Sequence, residues 1–267
     1  MARKLALAPL LVAQALATRR HAQKLPEAGG EREGSAGVDE VVRASAADGI
    51  APLRVLIAGD SSAAGVGVDD QAQAVAGYLV RALVQAGETV SWRLRARSGL
   101  TTRAVREMLS ADPPPACDVA VVISGVNDIT GAVSAARATA ERMAIADWLL
   151  GEGLAQHVVF APLPPLDSFP LLPEPLRSVL GDEAHRHDAA LAAWAVGRSD
   201  VTHAAFYFPL SAEVMASDGF HPGEPVYRLC GEALAGYVRK AVRRARDVEA
   251  YSGVGMTRGR PSRSMAT

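Results

Sequence analysis

The segment Leu53-Arg54-Val55-Leu56-Ile57-Ala58-Gly59-Asp60-Ser61 decides the fold class of this chain. Five of its first six residues are apolar, and the run ends abruptly in Gly-Asp-Ser. A short apolar run followed by turn residues is typical of a strand buried in a parallel sheet. Polar side chains that follow such a strand lie at the carboxyl edge of the sheet, where α/β proteins bind their ligands.

Strand-like and helix-like segments alternate along the rest of the chain. Predicted strands cover residues 53–58, 90–96, 119–123, 157–161 and 201–208, and predicted helices cover 71–86, 134–150, 182–196 and 224–244. Segment 90–96 alternates apolar and arginine side chains, which predicts a half-exposed strand at the edge of the sheet. The alternation as a whole predicts an α/β fold in which helices cover both faces of a parallel sheet.

The composition is that of an ordinary globular protein. The chain has 267 residues, of which 49% are hydrophobic and 21% charged, and its formal net charge is −1. This balance gives no electrostatic argument for nucleic acid as a partner. Cys117 and Cys230 match no metal-binding spacing and are expected to be free thiols. His185 and His187 are two residues apart on a predicted helix and point in different directions, so we expect no metal and no cofactor.

The chain divides into three predicted parts. Residues 1–51 form an apolar N-terminal segment and a flexible arm, residues 52–246 form the folded domain, and residues 247–267 form a disordered tail. The apolar run 5–17 is too short to span a bilayer comfortably as a helix. It fits a cleaved secretory signal, a helix on a membrane surface or a helix packed on the domain. Exported, membrane-associated and cytoplasmic locations therefore all stay open.

Small or polar groups occur at four predicted strand exits. These are Gly59-Asp60-Ser61, Ser98-Gly99-Leu100, Gly125-Val126-Asn127-Asp128 and Asp218-Gly219-Phe220-His221. Because the carboxyl ends of parallel strands meet at one edge, we expect the four segments to form one site.

The residue types in these segments meet the needs of ester cleavage, which are a nucleophile, a base and oxyanion donors. Ser61 is the predicted nucleophile, His221 the base, and Asp218 the carboxylate that orients the base. The predicted oxyanion donors are the backbone N–H groups of Ser61 and Gly99 and the side-chain amide of Asn127. A side chain at position 99 would crowd the substrate carbonyl, which favours glycine.

Two further carboxylates lie in the same segments. Asp60 and Asp128 are predicted to support the site by accepting hydrogen bonds from neighbouring backbone N–H groups. We do not expect them to act as catalytic acids.

The four segments together resemble the four blocks of the SGNH hydrolases, also called the GDSL esterase/lipase family. Residues 59–65 match the GDSxxxG block, with Ser62 in place of the usual leucine, residues 125–128 match GxND, and residues 218–221 match DxxH. The resemblance runs from about residue 53 to residue 244. By this resemblance Ser61, Gly99, Asn127 and His221 are the four residues that give the family its name.

The resemblance implies a three-layer α/β/α sandwich, of the flavodoxin-like SGNH hydrolase type, with about five parallel strands. It implies hydrolysis of carboxylic esters without a metal, as an esterase, a lipase, a lysophospholipase or a thioesterase. An acyltransferase that passes the same acyl group to a sugar or lipid is the alternative, because both reactions use the same catalytic residues.

Segment 162–180 contains several prolines and many large apolar residues directly after a predicted strand. It is either a loop packed on the domain or a wall for an acyl chain. The second interpretation predicts a small-molecule ester substrate with an apolar acyl group. Peripheral membrane contact through residues 5–17 is a further expectation.

Overall fold

The computed structural model describes residues 2–37, 51–208 and 210–255. Six strands form one sheet in the order β1-β3-β2-β4-β5-β6. The strands are β1 (Glu33–Ala36), β2 (Leu53–Gly59), β3 (Val90–Ala96), β4 (Cys117–Ile123), β5 (Ala155–Phe160) and β6 (Val201–His203). The helices are α1 (Ala2–His21), α2 (Val75–Gln85), α3 (Thr102–Ala111), α4 (Val126–Thr130), α5 (Ala135–Gly151), α6 (Leu176–Ala195) and α7 (Glu224–Gly255).

Strand β2 lies at the centre of the sheet and is buried at every position except Arg54. Its alternate residues enter two different clusters, because successive side chains of a strand point to opposite faces. Val55 and Ile57 pack with residues of α2 and α7, whereas Leu56 and Ala58 pack with residues of α3, α5 and α6. The three-layer α/β/α arrangement is therefore confirmed.

Strands β2 to β6 run parallel, as predicted, but the edge of the sheet differs from the prediction. The prediction that residues 90–96 form an edge strand is wrong, because β1 pairs with β3 in antiparallel orientation. Edge strands offer unpaired backbone groups to any extended segment, whatever its side chains. Residues 33–36 carry no apolar alternation, so no pattern in the sequence reveals this pairing.

The N-terminal arm is held at several points rather than loose before β1. The N–H of Ala28 donates to the carbonyl of Ala64 at 3.2 Å, and the N–H of Ser98 donates to Glu27 Oε1 at 2.6 Å. These bonds fix the arm against the turns that follow β2 and β3. Both turns lie at the edge of the sheet where the site is predicted. The part of the arm at residues 38–50 lies outside the described residues.

The last helix is longer than the sequence pattern predicts. Helix α7 continues to Gly255, so residues 247–255 of the predicted tail are helical. Residues 256–267 lie outside the described part of the chain. Within the described ranges, no helix combines the length and apolar character needed to cross a membrane.

Candidate active site

Ser61 follows β2 directly and is hydrogen-bonded to a residue from the other end of the chain. His221 Nε2 lies 3.1 Å from Ser61 Oγ, and His221 Nδ1 lies 2.6 Å from Asp218 Oδ2. Ser61 and Asp218 are each only 7% exposed. The three side chains thus form one chain of hydrogen bonds in the order expected for serine, base and orienting carboxylate.

Asp218 is set to stay ionised beside His221. Its Oδ1 accepts hydrogen bonds from the backbone N–H groups of Phe220 and His221, both at 2.9 Å. Burial by itself would raise the pKa of Asp218, but the hydrogen bonds from the His221 side chain and these N–H groups outweigh it and lower the pKa. A carboxylate at this position fixes the imidazole orientation and stabilises its protonated form.

Asn127 lies at the start of the short helix α4 and joins two of the predicted blocks. Its Nδ2 donates to the carbonyl of Leu100 at 3.0 Å and lies 3.5 Å from Asp60 Oδ2. Gly99 precedes Leu100 in the turn after β3, so this amide holds the turn that carries the second predicted oxyanion donor. Gly99 has φ +81, and a Cβ there would meet no described atom within 4 Å. Its backbone conformation is therefore sufficient reason for glycine.

Asp60 is a buried carboxyl beside Ser61, with 2% of its surface exposed. Its Oδ1 accepts the N–H of Ser62 at 3.0 Å. Burial raises the pKa of Asp60 to about 6, although backbone N–H groups of Ser62 and Gly125 oppose the shift. Asp60 thus accepts a hydrogen bond from a backbone N–H of the turn that contains Ser61.

Asp128 ties the turn after β3 to the turn after β4. It accepts hydrogen bonds from the backbone N–H of Thr102, at 3.1 Å, and from the Thr102 hydroxyl. Arg142 Nη2 lies 3.8 Å from Asp128 Oδ2 and donates to the carbonyl of Ser124 at 3.1 Å. Gly125 has φ +135, and a Cβ there would lie 2.0 Å from Arg142 Nη2. The guanidinium thus occupies the space that the missing side chain leaves.

Arg142 is a site-supporting residue that the sequence reasoning missed. It lies on the buried face of α5 with Ala138, Ile145 and Leu149, at helical spacing. An arginine inside such an apolar stripe is a signal of a buried ion pair, because arginine is almost never fully buried without a partner.

An apolar pocket opens beside Ser61 and encloses about 680 Å³ of empty space, its mouth included. The aromatic residues in its wall are Phe169, Phe206, Phe208, Phe220 and Tyr227. Residues Leu166, Leu172 and Leu176 pack in a cluster together with Phe169. Segment 162–180 is thus partly a packed loop and partly, through Pro162, Pro164 and Phe169, a wall of the pocket.

The remaining titratable candidates do not gather into a metal site. Among the residues with described positions, no group of three or more His, Cys, Asp or Glu side chains could hold a metal ion. His185 Nε2 lies 3.5 Å from Asp167 Oδ2 at the surface, whereas His187 is fully buried. Cys117 and Cys230 are both free thiols.

Comparisons with known proteins show which family the chain resembles. A sequence model of the GDSL-like lipase/acylhydrolase family matches residues 57–229, which include all four blocks. A GDSL-like esterase of Mycobacterium tuberculosis is 31% identical over 208 residues, which are 73% of this chain and 65% of that protein. The match therefore spans less than two thirds of that relative's length.

Two crystal structures show the same fold at low sequence identity. A lipase/acylhydrolase from Enterococcus faecalis has a TM-score of 0.52 and 20% identity, covering 70% of this chain and 96% of its own. An acetylxylan esterase from Geobacillus stearothermophilus has a TM-score of 0.52 and 15% identity, covering 70% and 94%. Given the four blocks, their position at one sheet edge and the match over 57–229, the chain belongs to the GDSL-like lipase/acylhydrolase family, the SGNH hydrolases.

Proposed function

We propose that this chain is a carboxylester hydrolase that forms an acyl-enzyme on Ser61. The observation that carries the proposal is the hydrogen-bond chain Ser61–His221–Asp218. Ser61 and His221 line an apolar pocket. Family membership supports ester hydrolysis in general, and the geometry supports these three residues as the catalytic residues. Ester cleavage fits because the chain offers a nucleophile, a base and an apolar binding site for an acyl group.

The proposed first step transfers the acyl group to the enzyme. His221 Nε2 takes the proton from Ser61 Oγ as the oxygen attacks the ester carbonyl, and Asp218 stabilises the imidazolium that forms. His221 then gives this proton to the leaving alcohol. In the second step His221 activates a water molecule, which attacks the acyl-enzyme and releases the carboxylic acid and free Ser61.

The oxyanion of each tetrahedral intermediate needs donors that are in place before the reaction. We assign this role to the backbone N–H groups of Ser61 and Gly99 and to Asn127 Nδ2. One hydrogen of the Asn127 amide is bound to the carbonyl of Leu100. This bond fixes the direction of the amide. The second hydrogen makes only a long contact, with 3.5 Å between Nδ2 and Asp60 Oδ2, and the substrate oxyanion is proposed to replace that contact.

The acyl group is proposed to lie in the pocket beside Ser61. Its wall is mainly aromatic and aliphatic, and Phe169, Phe206 and Phe220 contribute to it. Apolar surface binds apolar chains with about 0.8 kcal/mol for each buried methylene. The proposed substrates are therefore esters with an apolar acyl group rather than acetyl alone, as for an esterase, lipase, lysophospholipase or thioesterase.

The test compares Ser61→Ala with Ser62→Ala, a matched control one residue away. The assay follows hydrolysis of nitrophenyl esters of increasing acyl length and labelling by a fluorophosphonate serine probe. We expect Ser61→Ala to lose labelling and to lose kcat by on the order of 10⁴-fold or more, while Ser62→Ala keeps both. Labelling and turnover that persist in Ser61→Ala would exclude the proposal.

The same assay separates hydrolysis from acyl transfer. An added sugar or lipid alcohol that raises turnover and appears in an esterified product would favour transfer. Product that is always free acid supports hydrolysis, because water is then the group that resolves the acyl-enzyme.

A further inference from the structure

Helix α1 is held on the domain by one of its faces. Gln14 Nε2 donates to the carbonyl of Glu174 at 2.6 Å, and the N–H of Leu176 donates to Gln14 Oε1 at 3.1 Å. Leu11, which is partly buried, packs against the cluster that contains Leu176 and Phe169. These contacts fix which side of the helix faces solvent.

The opposite side of α1 is apolar and exposed. A helix turns by about 100° per residue, so Val12 and Leu16 lie on the side away from Leu11 and Gln14. Val12 is 58% exposed and Leu16 is 53% exposed, whereas Leu10, 46% exposed, lies on the same side as Gln14 and outside this patch. Half of the six large apolar residues that are prominently exposed in the described structure thus belong to this one helix. Such a patch marks a surface that binds something apolar.

The charge of this region is strongly positive. The first 26 residues contain Arg3, Lys4, Arg19, Arg20 and Lys24 but no aspartate or glutamate, although the whole chain has a net charge of −1. Arg19, Arg20 and Lys24 are exposed. The exposed leucine and valine side chains can contact the acyl chains of a lipid surface, and the basic side chains can contact its phosphate groups. This combination matches the chemistry of an anionic lipid surface.

The helix also lies beside the proposed active site. The cluster that receives Leu11 includes Phe169, Phe220 and Met215, all of which line the acyl pocket. Just after α1, Gln23 Oε1 accepts a hydrogen bond from the hydroxyl of Ser217, the neighbour of Asp218, at 3.2 Å. A lipid surface bound by α1 would therefore lie one helix diameter, roughly 10 Å, from the cluster that adjoins the pocket.

We propose that α1 docks this protein on anionic membrane surfaces through Val12, Leu16 and the basic residues that follow them. The docking itself is independent of the proposed hydrolysis. Docking would give the active site access to esters in a bilayer, and this consequence rests on the proposed ester hydrolysis. The substrate class would then be esters of membrane-inserted amphiphiles, whose acyl chain leaves the bilayer for the adjacent pocket.

Binding is tested with the full-length protein and vesicles of phosphatidylcholine, with or without phosphatidylglycerol. We expect binding to the vesicles that contain phosphatidylglycerol, weakened by added salt because exposed charges are screened. Val12→Glu/Leu16→Glu should reduce the affinity about a hundredfold, and Arg19→Gln/Arg20→Gln about tenfold or more. Val196→Glu is the matched control, because Val196 is also an exposed valine (80%) but lies at the end of α6, and it should bind like the wild type.

Activity measurements keep this proposal separate from the proposed function. Hydrolysis of a soluble short-chain ester should be unchanged in all three variants, because none alters the site, whereas hydrolysis of a vesicle-embedded ester should fall with binding. Loss of soluble-ester activity in Ser61→Ala tests the function alone.

Four outcomes would overturn the docking proposal. They are no vesicle binding, equal binding by Val12→Glu/Leu16→Glu, a dimer that these two substitutions dissociate, and a mature protein that begins at Thr18 because the apolar segment is cleaved as a signal.

Discussion

Arg142 and Asp128 form an ion pair beneath the turn that presents Asn127. Arg142 Nη2 lies 3.8 Å from Asp128 Oδ2, and the two side chains are 1% and 3% exposed. The same guanidinium holds the carbonyl of Ser124, while Asp128 holds Thr102. The pair therefore connects two of the loops that are proposed to supply oxyanion donors.

We expect Arg142→Met to destabilise the protein and to slow the reaction. Breaking a buried pair leaves Asp128 as an uncompensated charge, which costs about 3–5 kcal/mol of unfolding free energy. A shift of the Asn127 turn should lower kcat about 10- to 100-fold and leave KM nearly unchanged, because small misplacements act on the transition state. Denaturant unfolding measures the loss of unfolding free energy, and steady-state kinetics measure kcat and KM. Both are carried out well below the unfolding temperature of the variant.

The control is Arg106→Met, which removes another arginine that connects α3 to α5. Arg106 Nε pairs with Glu141 Oε2 at 2.9 Å, but the pair is more exposed and does not contact the site. We expect a loss of only about 0–1 kcal/mol and normal kcat. If folded Arg142→Met kept wild-type kcat, or lost activity through KM alone, the pair would have no role in positioning Asn127.

Asp218→Asn should leave the loop in place but remove the negative charge beside His221. An amide oxygen can still accept the N–H groups of Phe220 and His221, so the unfolding temperature should change little. It cannot stabilise protonated His221, and kcat should fall by on the order of 10⁴-fold. Asp167→Asn, which removes a surface carboxylate that also contacts a histidine, should keep full activity. Comparable activity of the two variants would argue against the role of Asp218.

Phe169→Ala tests whether the pocket selects substrates by the length of their acyl chain. Phe169 is 3% exposed and lines the pocket, whereas its neighbour Leu171 does not line it. For the wild type we expect kcat/KM to rise up to about fourfold for each added methylene, which corresponds to 0.8 kcal/mol. Phe169→Ala should flatten this dependence, and Leu171→Ala should preserve it. Identical chain-length profiles for all three proteins would remove the acyl-binding role from Phe169.

Asp60→Asn should change how stability depends on pH. Because burial raises the pKa of Asp60 to about 6, the folded protein keeps a proton that the unfolded chain has already released near its ordinary value of 3.8. The unfolding free energy contributed by this group is full below about pH 4 and is lost as the pH rises to about 6.

Asparagine mimics the protonated carboxyl and removes this loss. The difference in unfolding free energy between Asp60→Asn and wild type should grow by about 2–3 kcal/mol between pH 4 and pH 6 in favour of the variant. Asp69→Asn, at an exposed carboxylate in the same loop region, should show no such trend. Parallel curves for Asp60→Asn and wild type would show that Asp60 is ionised without cost.

The alternation of elements and the predicted site residues could be read from the sequence because both depend on local patterns. A strand buried on both faces is a continuous apolar run, and the turn residues after it mark the sheet edge. Ser61 and Asn127 are predicted because each follows such a signal, whereas Asp218 and His221 are predicted from the DxxH spacing in a turn-rich segment before the last helix. Helix α3 is an omission in the prediction, although its sequence is amphipathic: Val105 and Leu109 are buried, and Arg103 and Glu107 are exposed.

Strand β6 shows how a correct local pattern can mislead. A strand over 201–208 is predicted from the sequence, yet the strand ends at His203. Phe206 and Phe208 are apolar because they line the pocket, not because they lie in the sheet. Apolar residues in a sequence indicate which side chains are buried and do not specify what buries them.

By itself, the sequence determined the α/β fold, the family resemblance and the types of residue at the proposed site. Only the tertiary structure decided the pairing of β1 with β3, the burial of Arg142 against Asp128, and the pocket whose wall joins residues from Ser61 to Leu234. The physical reason is the range of the interactions. Turns and buried strands follow from neighbouring residues, whereas backbone pairing at a sheet edge, a buried ion pair and a cavity depend on segments that meet only when the chain folds.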